Sequence, residues 1–218
     1  MIISHNHPQY KRKWRKIGVN RFNGAYYYSR EIYKNIIPNV KTNRNWITIN
    51  IKGVGCNHAI VFIHNNKHPD HYDWLAKYDD LILVCGVQDT CKKVAHLGKA
   101  IYLPLSIDTA YVEKFKTDHK TRNTAYVGRR TKARWGDVPN GIDYLCDMDR
   151  DRLLKAMAEY QRVYAVGRTA IEAKALGCEV LPYDPRFPNP DFWQVIDNRE
   201  AAVILQRMLD EIDEKQKR

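Results

Sequence analysis

Short apolar runs alternate with polar, periodic segments along most of the chain. NWITINIKG (45–53) alternates with period two, which predicts a half-buried strand. AIVFIH (59–64), DLILVCG (80–86) and AIYLPL (100–105) are almost wholly apolar, as strands covered on both faces are. Between them, HPDHYDWLAKYD (68–79) predicts a short helix presenting Tyr72, Leu75 and Tyr78, and VQDTCKKVAHLG (87–98) predicts a helix stopped at Gly98. Earlier, SREIYKNII predicts a helix capped by Ser29 and ended before Pro38.

After a charged linker at 108–122 the pattern restarts. TAYVGR (124–129), GIDYLCD (141–147), RVYAVG (162–167) and CEVLPYD (178–184) predict strands. DRDRLLKAMAEY (149–160), TAIEAKALG (169–177) and the segment from Ala201 onward predict helices. Strands separated by short helices predict an α/β fold with parallel sheets. The restart divides it into 1–108, with a basic N-terminal segment and a short lobe, and 109–218, ending in the last helix.

Charge changes this picture at one end. The formal net charge of the 218 residues is +11. Lys11, Arg12, Lys13, Arg15, Lys16 and Arg21 crowd the start, interleaved with Tyr10, Trp14 and Phe22. Such a segment suits a phosphate backbone with stacked bases, or another anionic polymer. A basic helix packing its aromatics inward explains the same residues. No run of 18 apolar residues occurs, so no membrane span is expected. The start lacks the apolar stretch of an export signal, and the five widely spaced cysteines are expected to be reduced thiols of a cytoplasmic protein, with Cys56, Cys85 and Cys178 as small buried side chains.

The richest chemistry lies in VYAVGRTAIEAKALGCEVLPYD (163–184), a strand, tight turn, helix and strand. Gly167, Arg168 and Thr169 fall at a helix N-terminus, where unpaired backbone N–H groups favour an anion. Glu172 follows on the first turn, suited to sugar hydroxyls. The Thr-x-x-Glu spacing is equally that of a capping box, Thr169 as cap and Glu172 as its partner. His64 closes a buried strand, the end that faces the ligand crevice in open α/β sheets, and is a candidate acceptor contact or general base, with Asp70 and His71 next in line. Asp149 is expected to cap the helix at 150, and Asp108 to cap a turn or line the crevice. Neither histidine nor cysteine spacing suggests a metal site. The chain has no Gly-x-Gly-x-x-Gly dinucleotide fingerprint, no phosphate-binding P-loop and no Gly-x-Ser-x-Gly elbow.

Residues 80–184 resemble a glycosyltransferase of the two-lobed, GT-B type, in a small phage-like form. DLILVCGVQDTCKKVAHLG followed by IYLPLSIDTAYVEKF resembles the end of that family's first lobe, with Pro104, Ile107 and Asp108 matching and Leu105 and Ser106 departing. TAYVGRRTKARWG resembles the opening strand of the second lobe, through Gly128, Arg129 and Lys132. The 163–184 stretch resembles the donor-binding unit, through Glu172, Gly177 and Val180. The resemblance implies two Rossmann-like lobes, the first shortened, and transfer of a sugar from a nucleotide-sugar, expected to be a UDP-sugar, to an acceptor hydroxyl on a modified DNA base or an anionic polymer. It assigns the donor diphosphate to Arg129, Lys132 and the Gly167–Thr169 turn, and the ribose to Glu172. Tyr164 stands where many retaining members carry a second Glu. With the short first lobe, it favours a second reading, a non-catalytic nucleic-acid- or nucleotide-binding protein on the same fold. A homodimer would complete a minimal acceptor side.

Overall fold

The computed structural model describes residues 1–16, 24–64, 69–129 and 137–216. The chain is α/β and forms two compact units, Met1–Pro104 with Asn198–Arg218, and Leu105–Asp197. Among the described residues no helix is long and apolar enough to cross a membrane.

Unit 1 holds five parallel strands, β1 (Ile2–Ile3), β2 (Asn45–Ile47), β3 (Ala59–Ile63), β4 (Leu81–Cys85) and β5 (Lys99–Tyr102), side by side in chain order. Every residue of β3 and β4 is buried, because both faces of the sheet are covered. Ile47, Val61 and Leu83 meet Tyr72, Leu75, Val94 and Leu97 on one face. On the other, Trp46 stacks on Phe62, with ring centroids 6.2 Å apart, and Tyr28 meets Phe62 edge-on at 6.4 Å.

Helix α1 spans Pro8–Lys16 and α2 spans Gly24–Glu31, running into a π-helical turn at Ile32–Ile36. The predicted cap Ser29 therefore lies inside α2. It is fully buried, and its hydroxyl serves the His5 N–H at 3.0 Å and Thr48 Oγ1 at 2.7 Å. The helix expected at 68–79 is instead a pair of 3-10 turns, Pro69–His71 and Asp73–Lys77. Three residues per turn aligns positions three apart, which suits Tyr72 and Leu75. The predicted 87–98 helix is α3 (Gln88–Val94) followed by one 3-10 turn.

Asn198–Gln216 forms the last helix, here α7, and it groups with unit 1 although the sequence division at 108 kept it with the second half. It packs on the Ile32–Ile36 turn, with Ala201, Ala202, Leu205 and Leu209 buried. Asn198 Nδ2 donates to Glu31 Oε2 at 3.2 Å, and Gln206 exchanges hydrogen bonds with the backbone of Lys41.

Unit 2 contains α4 (Thr109–Glu113), inside the expected linker, then β6 (Arg122–Val127), β7 (Asp143–Leu145), α5 (Arg150–Ala158), β8 (Tyr160–Tyr164), α6 (Arg168–Ala175) and β9 (Glu179–Leu181). The four strands are parallel in the order β7-β6-β8-β9. Ala125, Val127, Val163 and Val180 form the core with Leu154, Met157, Ile171 and Leu176. On the opposite face Tyr126 is fully buried against Tyr183 and Tyr144, at 5.1 and 5.4 Å. From β6 the chain steps to β7 on one side, and from β8 to β9 on the other. The carboxyl ends of β6 and β8 therefore flank a topological switch point, where open α/β sheets bind ligands.

Candidate functional site

In unit 2 each strand is followed at its carboxyl end by an arginine: Arg129 after β6, Arg150 after β7, Arg168 after β8 and Arg186 after β9. Parallel pairing brings all four strand ends to one edge of the sheet. Sequence reading singled out Arg129 and Arg168. It missed Arg150 and Arg186, whose common signal is the repeated frame of strand, loop and basic residue.

Glu172 joins two of these side chains. Arg150 Nη2 and Arg168 Nη2 each lie 2.8 Å from Glu172 Oε1. The three side chains are 11, 13 and 7% exposed in that order, so this is an interior ion cluster. Arg150 also lies over the Tyr111 ring, 5.4 Å from its centroid. Asp184 is held by Arg186, through Nε at 2.9 Å and Nη2 at 2.5 Å.

The turn before α6 differs from a capping box. Helix α6 starts at Arg168, so Gly167 occupies the N-cap position and Thr169 lies within the first turn. Gly167 adopts φ +65° and ψ −144°, a conformation for which a side chain is poorly suited, and no side chain caps the helix. Without a hydroxyl at the cap position, Glu172 turns to arginines. Gly128 packs against the buried phenol of Tyr126, whose O–H donates to the carbonyl of exposed Arg129 at 2.9 Å. Lys132 lies outside the described residues. Asp149 caps α5 by accepting from Arg152 N at 3.0 Å, and Asp108 caps α4 by accepting from Tyr111 N at 2.9 Å.

In unit 1, His64 follows β3 as expected, half-buried and edge-on to Tyr28 at 4.9 Å. Its Nε2 bonds the carbonyl of Thr48, which can only accept, so Nε2 carries the proton and Nδ1 the lone pair of the neutral ring. Asp70 is exposed in the first 3-10 turn, and the neighbouring His71 ring meets Tyr72 edge-on at 5.0 Å.

The sequence reading gave no chemical role to His5, which the fold buries to 4% exposure just beyond β1. Its ring contacts Tyr26 and Tyr33 edge-on, and its Nδ1 is buried without a hydrogen-bond partner among the described residues. Burial first, then the charges of Arg30, Lys34 and Lys11, push its pKa below the ordinary histidine value. The backbone link from His5 through Ser29 Oγ to Thr48 Oγ1, and the Thr48 carbonyl to His64, tie both histidines to one carboxyl edge. Two short strand residues followed by Ser-His were the only sequence signal.

Lys11 and Arg12 are exposed on α1. Lys13, Arg15 and Lys16 lie on the same helix, and Arg21 lies outside the described residues. No protein-family model matches the chain, and no curated protein matches it.

Proposed function

We propose that unit 2 binds the diphosphate of a nucleotide-sugar at its carboxyl edge and that the protein transfers the sugar to an acceptor hydroxyl. The observation that carries this reading is the arginine after every strand of a sheet whose switch point lies between β6 and β8. Guanidinium forks donate paired hydrogen bonds to phosphate oxygens, and groups fixed in advance stabilise charge developing on a leaving diphosphate. Arg129, Arg150 and Arg168 are the proposed contacts, with the Gly167–Thr169 turn. Glu172 is assigned as the counter-charge that fixes two guanidiniums, in place of the ribose contact implied by resemblance.

In unit 1, His64 is the proposed acceptor-side residue, at the carboxyl end of β3. A general base must be neutral at working pH and within reach of the hydroxyl proton. The hydrogen bond to Thr48 leaves His64 Nδ1 as its basic nitrogen.

Calorimetric titration with a panel of nucleoside diphosphates tests the reading. Saturable binding of one of them, weakened at least tenfold in Arg168→Ala, is expected. A folded protein that binds none of them overturns the donor site. If it instead binds oligonucleotides with a steep salt dependence, the exposed Lys11 and Arg12 face becomes the site and the protein a nucleic-acid-binding module.

A further inference from the structure

The first two helices of unit 1 carry a charged surface that the donor site does not use. Between Pro8 and Arg44 the sequence holds ten lysines and arginines and a single acid, Glu31. That acid is buried and accepts from Asn198. Lys11 on α1, Arg30 on α2 and Lys34 on the turn that continues α2 are exposed.

Aromatic rings lie among these cations. Tyr26 and Tyr33 both meet the buried His5 edge-on, at 5.3 and 5.6 Å, so they share one face of α2 and its continuation. Positions 26, 30, 33 and 34 follow the spacing of a single helical face, which puts Arg30 and Lys34 beside the two rings. Tyr10 of α1 lies nearly parallel to Tyr26 at 6.3 Å and brings its neighbour Lys11 to the same place. The joint effect of Arg30, Lys34 and Lys11 on His5 agrees with that placement. Tyr33 is 38% exposed, and Tyr26 is half-buried. Tyr28, on the same helix, touches His64, so the segment reaches the carboxyl edge of the sheet.

We propose that this face docks a single-stranded nucleic acid, with phosphates on Lys11, Arg30 and Lys34 and bases on Tyr26 and Tyr33. Interleaved cations and open rings suit a strand whose base faces are free to stack, whereas a duplex hides them. An anionic lipid surface matches the charge but needs an exposed apolar face, and Ile32 and Ile36 of this segment are buried. The docking stands on the surface itself. It rests on the transferase reading above only in making the strand the acceptor.

The test titrates the full chain into a fluorescein-labelled single strand of mixed sequence, and into its duplex, and follows anisotropy over a range of salt concentrations. Saturable binding that weakens with salt and favours the single strand is expected. In Arg30→Ala/Lys34→Ala the affinity should fall about tenfold or more, and the salt slope should become shallower by about 1.4, the share of two phosphate contacts on a single strand. Tyr33→Ala should weaken binding about fivefold or more, and Tyr33→Phe should restore it. Nucleoside diphosphate binding should be unchanged in all three variants. Absence of strand binding, equal binding of the duplex, wild-type affinity in Arg30→Ala/Lys34→Ala, or a preference for phosphatidylserine vesicles overturns the proposal. Strand binding by a protein that takes no nucleoside diphosphate upholds the docking surface and overturns its acceptor role. The comparison of strand, duplex and vesicles with the wild type decides the matter even if a variant fails to fold.

Discussion

Arg168 and Glu172 stand one turn apart on α6, with Nη2 of the first 2.8 Å from Oε1 of the second. On an exposed helix this order of charges is the weaker one for an i,i+4 pair. Here Arg150 arrives from α5 at the same oxygen, and solvent is nearly excluded. The carboxylate thereby fixes side chains from two different loops at one edge of the sheet.

Glu172→Ala should destabilise the protein by about 3–5 kcal/mol in urea unfolding, because it strands two interior guanidiniums. Glu172→Gln should cost less while loosening both arginines. If Glu172 served only a ribose, Glu172→Gln would abolish nucleotide binding and leave stability unchanged, so measuring both quantities separates the roles.

His5 makes stability depend on pH. Its folded pKa is depressed, whereas in the unfolded chain it titrates at about 6.5. As pH falls, the unfolded state takes up the proton first. The contribution of neutral His5 is complete above that value and is lost as pH drops toward the folded pKa. Urea unfolding over this range should show a loss on acidification that is smaller in His5→Gln.

Ser29→Ala should cost about 1–3 kcal/mol, since it removes the acceptor of the buried His5 N–H and the partner of Thr48. Thermal denaturation reads the loss directly, and a surface Ser→Ala control should show none.

Gly167→Ala isolates the cost of the turn. A methyl group there would meet nothing within 4 Å, so the expected penalty of about 1–3 kcal/mol comes from backbone conformation alone. Chemical denaturation gives its size, and nucleoside diphosphate titration should show weaker binding as the turn relaxes.

The central strands were legible because a strand buried on both faces has no polar residue to mislead. AIVFI and LILVC fell where expected. The two-residue β1 carries too little pattern to detect, and with it went the significance of His5. Ser29 resembled a cap because Ser is favoured there, but partners just beyond β1 and β2 took its hydroxyl. Glu172 stood out in the sequence through its distance from Thr169. Of its two partners, Arg168 lies one turn away on the same helix, but Arg150 is 22 positions away and is delivered by the packing of α5 beside α6, which no local spacing encodes.

The chain leaves unit 1 after Pro104 and returns at Asn198. The two ends of the intervening segment are stitched together, Ile107 N to Ile196 O at 3.1 Å and Thr109 Oγ1 to Asp197 Oδ2 at 2.7 Å. During synthesis the inserted unit has all its strands before α7 emerges. The first sheet must wait, its Ile32–Ile36 layer lacking the Ala201, Ala202 and Leu205 side chains that later pack over it. At roughly 5–20 residues per second this interval is on the order of ten seconds, long enough for a nascent-chain chaperone to recognise the waiting surface.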